Sequence, residues 1–486
     1  MLQMYQLLAL LGGFGLLTLL AMRGHSIFVV APLCAGLVLA VSGADPVAGL
    51  TGPFMAGFSG FLRDFYLIFA LGAAFGRLME KSGAAAAVAR GVVQTLGSRW
   101  ACLAVVLSCA VLTYGGVSLF VVGFSVYPLA VELFREANLP RRFIPASIAF
   151  GSVTFTMTTA GSPEIQNLIP IGYLIDNSTG QSLTHAAAGW PASLLVSAVM
   201  FGLGQAYLER AIRRDLARGL RFEPRAADPT APAANEDAAV PTQLPRGPGL
   251  AAALSPLLVT LLTLNLLPPL AGSLLRSLPE EPTAATWQAA TASLLAHFPA
   301  DKDMATAAVF FGVLTAVIAL RRHLRSVWQP IGDGFVNGLI AIGSTCSVVG
   351  FGAAVQKLPA FQGVVNWVTN LPVDPLLGAA LAVAVIAGLA GSASGGQGLA
   401  WPIIKSVYVD ELGVAPRALH RVVAIASGSL DTLPANGYLL MLIRNICGES
   451  HKTAYGPICV TCTLIPLLGT FLAIALFKLF PAWGLM

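Results

Sequence analysis

Two stretches of this 486-residue chain place hydroxyls, a carboxylate, a proline and an asparagine side by side inside otherwise apolar runs. The first is Thr156-Met157-Thr158-Thr159-Ala160-Gly161-Ser162-Pro163-Glu164-Ile165-Gln166-Asn167. The second is Gly428-Ser429-Leu430-Asp431-Thr432-Leu433-Pro434-Ala435-Asn436-Gly437. Proline removes a backbone donor and frees a carbonyl, so each stretch predicts a helix that breaks within its span. The unwound part offers carbonyls, and the half-helix after it offers N–H groups to an anion. Thr158, Thr159, Ser162 and Asn167 in one stretch, and Thr432 and Asn436 in the other, are candidate substrate ligands. Hydroxyls and carboxamides without Lys or Arg suit a small anionic or polyhydroxylated solute that must be released again. Glu164 and Asp431 are candidate ion-coupling groups, since intramembrane carboxylates are expensive and functional by default. A carboxylate held away from water favours its neutral form, so it can load a proton on one side and lose it on the other. The alternative for each is a cap on the following half-helix.

A Gly/Ser cluster precedes each break. Thr113-Tyr114-Gly115-Gly116-Val117-Ser118 interrupts the apolar stretch 100–131, and Ala390-Gly391-Ser392-Ala393-Ser394-Gly395-Gly396-Gln397-Gly398 interrupts 376–409. A small, polar cluster between two half-length apolar arms predicts the tip of a re-entrant hairpin. Such a tip exposes N–H groups and hydroxyls at membrane depth, which is tolerable only around a watery cavity or a ligand. Close helix packing through small residues is the alternative. Gly115, Gly116, Ser118, Ser392, Ser394, Gly395 and Gln397 therefore join the candidate substrate ligands.

The elements that position these residues recur. At an offset of 276–277 residues, Phe75-Gly76 matches Phe351-Gly352, and Glu80-Lys81 matches Gln356-Lys357. Gly115-Gly116-Val117-Ser118 matches Gly391-Ser392-Ala393-Ser394, and Ala149-Phe150-Gly151-Ser152 matches Ala426-Ser427-Gly428-Ser429. An internal repeat with interruptions at corresponding places is the pattern of a secondary transporter.

Only 10% of residues are charged, against roughly 25% in a soluble domain, and the mean hydropathy is +0.77. Too few charges remain to coat a water-facing surface. The expected fold class is an all-α integral membrane protein, a polytopic secondary transporter with two inverted repeats, re-entrant hairpins and broken helices. Apolar segments fall near 5–22, 27–43, 65–81, 84–97, 100–131, 143–175, 186–208, 250–272, 304–320, 335–356, 376–409, 419–446 and 455–480. Residues 1–22 lack a basic leader and a small-residue cleavage site, so they read as a retained first span. Arg210, Arg213, Arg214, Arg218, Arg221 and Arg225, with Arg321, Arg322 and Arg325, predict cytoplasmic loops. The predicted organisation is N-terminal helices over 1–60, a first inverted repeat over 61–210 and a flexible cytoplasmic linker over 211–249. Connecting helices over 250–330 carry an extracytoplasmic loop at 273–303, and a second inverted repeat covers 331–486.

The same reading narrows the chemistry. Net charge is +5, but the basic residues lie in short loops and not on one face, so no nucleic-acid partner is expected. No P-loop occurs, and no HExxH or GxSxG supports an enzyme. Seven scattered Cys, with Cys459 and Cys462 alone at CxxC spacing, read as small buried thiols. The six His fall in or beside loops without metal-ligand spacing, so neither metal nor cofactor is expected. Arg63, Asp64, Glu80 and Lys81 read as interfacial anchors, and Lys405 as a snorkelling side chain.

At these residues the chain resembles the gluconate permease (GntP) family of the ion-transporter superfamily, from about residue 60 to the C-terminus. Leu71-Gly72-Ala73-Ala74-Phe75-Gly76-Arg77 with Glu80-Lys81-Ser82-Gly83-Ala84-Ala85 is similar to the family's GKLLADSGAA stretch. Gly391-Ser392-Ala393-Ser394 is similar to its GSAT. Gly428-Ser429-Leu430 with Asn436-Gly437-Tyr438 is similar to GSL…NDSGFW. Where the family has PPHPGP, this chain has Thr159-Ala160-Gly161-Ser162-Pro163-Glu164, and where it has an Asp before Ser-Gly, this chain has Ala435-Asn436. The resemblance implies inverted repeats, re-entrant hairpins and cotransport of a sugar acid or short hydroxy acid with a proton. The expected partners are a small organic monocarboxylate such as gluconate, a proton, the lipid bilayer of a bacterial inner membrane, and a second copy if the chain dimerises. Sodium coupling, and a smaller substrate such as 3-hydroxybutyrate or acetoacetate, stay open as alternatives.

Overall fold

The computed structural model describes residues 2–23, 25–223, 247–277, 302–356, 358–359, 361, 373–434 and 436–486. Most of the expected linker (224–246) and of the expected outward loop (278–301) lies outside the described residues, as do Lys357 and Ala435. Within them the chain is helical, with one isolated bridge between Ile175 and Ser182.

In chain order the helices are α1 (Leu2–Met22), α2 (Ile27–Val41), α3 (Pro46–Lys81), α4 (Ala84–Leu96), α5 (Ala101–Tyr114) and α6 (Leu119–Glu136). Next come α7 (Ile144–Ala149, continued by a π turn Phe150–Thr154), α8 (Ile165–Tyr173), α9 (Trp190–Ala217), α10 (Leu250–Ser277) and α11 (Lys302–Leu320). The second half has α12 (Trp328–Val355), α13 (Pro375–Ala390), α14 (Ala393–Ile404), α15 (Pro416–Leu430), α16 (Gly437–Ile446) and α17 (His451–Leu479). Six helices among the described residues are long and apolar enough to cross a membrane, so the chain is a multi-pass membrane protein.

The long helices α3 and α12 pack against each other. Gly334 and Gly338, four residues apart on α12, make this possible. A Cβ on Gly334 would lie 2.3 Å from Ala74 Cα, and one on Gly338 2.6 Å from Ala70 Cα. Without side chains there, the two backbones approach and gain dispersion contacts, the force that pairs helices in lipid. α3 begins well before the expected start at residue 65. Asp45 caps it by accepting from Val47 N at 2.8 Å, and the helix runs on through Arg63 and Asp64, which pair with each other at 3.2 Å.

The two Gly/Ser clusters lie at the turns of two helical hairpins, α5–α6 and α13–α14. With 14 residues, α5 is about 21 Å long, short of a hydrocarbon core of about 30 Å. Gly116 (φ +91°) and Gly391 (φ +60°) supply the left-handed residue that each turn requires. Each hairpin is followed by a broken helix: α7 and α8 flank 155–164, and α15 and α16 flank 431–436.

Candidate functional site

Hairpin two touches its own break. Asn436 donates through Nδ2 to Gly391 O at 3.3 Å and to Asp431 O at 3.0 Å. Its Oδ1 accepts from Leu439 N at 3.0 Å, which caps α16. Asp431 closes α15 and is buried, with its carboxylate against the backbone amides of Ala393 and Thr432. Its Oδ1 has no hydrogen-bond partner, and no described Lys or Arg pairs with it. Ser392 Oγ caps α14 by accepting from Gly395 N at 3.2 Å. It also lies 3.2 Å from Ser394 Oγ, which is 3.5 Å from Thr345 Oγ1 on α12.

Thr432 turns the other way. Its hydroxyl donates to Cys462 O at 2.7 Å and lies 2.8 Å from Thr463 Oγ1. The Cys462 carbonyl is free because Pro466, four residues on, has no N–H to offer it. One residue earlier, Thr461 O accepts from Thr154 Oγ1 at 3.2 Å. Both broken helices are thus anchored on one irregular turn of α17.

Break one meets hairpin one in a comparable way. A Cβ on Gly116 would sit 3.0 Å from Pro163 Cγ, and Tyr114 OH donates to Ala160 O at 2.8 Å. Asn265 of α10 donates to Gly161 O at 2.9 Å. Glu164 takes the N-cap position of α8 in extended backbone, yet its side chain makes no capping bond. Ser162 Oγ accepts from Glu164 N at 3.3 Å, a local turn that precedes the helix. The half-buried Glu164 carboxylate has no hydrogen bond or ion pair among the described residues. The two carboxylates are therefore not equivalent within their breaks: Asp431 opens one, and Glu164 closes the other. Thr159 faces away from the break, 2.5 Å from Ser197 Oγ on α9 and bonded to Phe155 O. Gly115 packs on Leu257, and Ser118 stands half-buried at the entrance to α6.

The sequence reading missed Arg421 and His420, which lie buried within α15 and not in a loop. Arg421 spends its guanidinium donors on Thr158 O (2.5 Å), Asn167 Oδ1 (2.8 Å), Ala186 O (3.1 Å) and, twice, Ala188 O (3.0 and 2.9 Å). His420 Nδ1 is 2.7 Å from Thr184 Oγ1, and its Nε2 is 3.2 Å from Asn167 Oδ1. Asn167 also donates to Ser162 O at 2.8 Å and Ala186 O at 2.9 Å. Its polar atoms are occupied by the protein, and a cation stands beside a break that was expected to have none. The signal was available. Arg421 falls inside the apolar segment 419–446, where an ionisable residue calls for an explanation.

The halves also cross over. Gln397 on α14 donates to Gln166 O at 2.9 Å and Ser427 Oγ at 2.8 Å, and accepts from Trp401 Nε1 at 3.1 Å. Tyr173 OH donates to Gly398 O at 3.4 Å. So α8 of the first half rests on hairpin two. Reciprocally, Tyr438 of α16 meets Phe120 of hairpin one edge-on at 5.4 Å and Ser152 Oγ at 3.3 Å. Beside the two hairpins stand the hydroxyls of Ser118, Ser392 and Ser394 and the carboxylates of Glu164 and Asp431, while the amides of Gly115, Gly116, Gly391, Ser392, Gly395 and Gly396 are spent on hydrogen bonds within their own hairpins.

Comparison with known proteins agrees with this architecture. The sequence model of a family described as GntP family permease matches residues 5–165. The chain is 33% identical over 497 residues to the uncharacterized transporter YxjC of Bacillus subtilis (strain 168), covering 98% of this chain and 99% of that one. The solved YdaH transporter of Alcanivorax borkumensis, described as having an unusual topology, matches with a TM-score of 0.54 at 16% identity. The match covers 91% of this chain and 90% of that one, a likeness of fold alone.

Proposed function

The chain belongs to the GntP permease family, and on that premise we propose that it is a proton-coupled symporter importing a small organic monocarboxylate across a bacterial inner membrane. Gluconate or a related sugar acid or hydroxy acid is the substrate class. The observation that carries the reading is Asp431, a buried carboxylate with an unpartnered oxygen, set against the tip of hairpin two. A carboxylate in that position is stable when its charge is cancelled, and a proton is the smallest ion that does so. Glu164, whose side chain makes no capping bond and no ion pair among the described residues, is the second candidate.

Two carboxylates matter for energetics. One proton travelling with a monocarboxylate makes a neutral pair, so the pH difference alone drives it, giving about tenfold accumulation per pH unit. A second proton makes each cycle carry one net charge, worth about 2.3 kcal/mol per 100 mV. The substrate-binding set under this proposal is Ser118, Ser392, Ser394 and the tip glycines, with Gln397, Asn436 and Thr158 shaping the walls.

Uptake of labelled gluconate into proteoliposomes tests the reading. An inward proton gradient should drive accumulation in sodium-free buffer, and a protonophore should collapse it. Uptake that requires sodium and ignores the protonophore would move the coupling ion to the Ser, Thr and Asn oxygens around Asp431. Labelled 3-hydroxybutyrate and acetoacetate in the same assay set the size of the solute.

A further inference from the structure

A polar cavity lies away from the breaks, where the C-terminal end of α9 meets the first turns of α17 and the turn that leads into α7. It encloses about 420 Å³ and is lined by Arg142, Arg210, Arg214, Arg218 and Lys452, with Asp215 as its one carboxylate. Arg210 and Arg214, four residues apart, share one face of α9, and Arg218 follows at the C-cap of that helix. Asp215 is already committed, with its Oδ2 2.5 Å from Arg142 Nη2. Arg142 Nε is buried without a hydrogen-bond partner among the described residues. The other four cations have no ion pair among the described residues, because the neighbouring Glu209 is paired with Arg213.

Five cations against the single carboxylate of Asp215 leave the cavity with a net positive charge that attracts an anion. Two features say which anion. Guanidinium forks match pairs of phosphate oxygens, and charge-assisted bonds of that kind are strong. The cavity also sits at the end of a helix long and apolar enough to span the bilayer, which is the depth of the headgroups. Directly toward the membrane, Leu195, Val199 and Leu203 on the same helix are exposed, a track along which an acyl chain can lie.

We infer that this basin binds the phosphate group of an anionic phospholipid in the leaflet facing the C-terminal end of α9. Arg142 precedes the first broken helix and Lys452 lies on α17, which anchors both breaks. The headgroup therefore joins the two halves at their shared support. The positive-inside argument puts this leaflet on the cytoplasmic side.

Delipidated protein in detergent micelles tests the assignment by thermal unfolding with three probes at equal concentration: dioctanoyl phosphatidylglycerol, dioctanoyl phosphatidylcholine and inorganic phosphate. Phosphatidylglycerol should raise the midpoint and the other two should not. The exposed triple variant R210Q/R214Q/R218Q should keep its lipid-free midpoint and bind phosphatidylglycerol at least about tenfold more weakly. An equal shift with phosphatidylcholine, or an undiminished response in the triple variant, overturns the site. Inorganic phosphate acting as well as the lipid, and only on the parent, overturns the lipid assignment in favour of a soluble anion. If the triple variant folds poorly, Lys452→Gln carries the same comparison alone, with the same outcomes.

Discussion

Arg421 Nη1 lies 2.8 Å from Asn167 Oδ1, and this bond fastens the first broken segment to the helix that ends in Asp431. The carboxamide works in both directions, since Asn167 Nδ2 holds Ser162 O and Ala186 O. Asn436 repeats half of the device by donating to Asp431 O, also five residues back. Each break is thereby tied back on itself by an asparagine side chain.

Asn167→Ala should consequently act on stability. It strips an acceptor from a buried guanidinium and donors from two buried carbonyls, each worth about 1–3 kcal/mol when left unsatisfied. We expect a lower thermal midpoint and poor expression, with an unchanged KM in the protein that folds. A normal midpoint combined with a raised KM would return Asn167 to the substrate ligands. Asn167→Asp keeps the acceptor for Arg421 and adds a counter-charge, so it should fall between the parent and Ala.

At the hairpin tips, Ser118→Leu and Ser394→Leu should abolish uptake by filling space and removing a hydroxyl. The two differ in setting: Ser394 sits among Ser392 and Thr345 hydroxyls, whereas Ser118 is half-buried. Ser118→Leu should therefore express like the parent, and Ser394→Leu somewhat less well. Normal transport by both would leave the clusters as packing devices only.

Hairpin two depends on close backbone contact. A Cβ on Gly396 would lie 2.4 Å from Ala387 Cα on the opposite arm. Gly396→Ala should force the arms apart at a cost of about 1–3 kcal/mol. Transport should be lost, because the Ala393 amide and Gly391 carbonyl would leave Asp431 and Asn436. Wild-type transport by this variant would show that the tip tolerates displacement.

Asp431→Asn and Glu164→Gln separate coupling from binding. The amide preserves shape and removes the exchangeable charge. Whichever residue carries the proton should, as the amide, still exchange labelled for unlabelled substrate but fail to concentrate it. If both variants accumulate substrate like the parent, neither is the coupling acid, and Asp64 and Glu80 become the next to test. A variant that merely loses expression, with its accumulation ratio intact, would point to a structural role.

Composition and periodicity alone determined that this is a helical membrane protein. They also located the two Gly/Ser clusters and the two Pro-interrupted segments. These signals are local: a lack of charges, a glycine where a turn needs positive φ, a proline where a ladder loses a donor. Which side chains face the centre was decided by tertiary structure, because rotation about a helix axis is set by what packs on each face. Thr159 turns to α9 and Thr432 to α17, although both stood among the expected ligands. The crossing of α8 onto hairpin two and of α16 onto hairpin one joins residues more than 200 positions apart, as in Gln397 with Gln166. Arg421 makes the same point most clearly. Its type and position were legible, but its carbonyl cradle exists only where three chain segments meet, and no local pattern encodes that meeting.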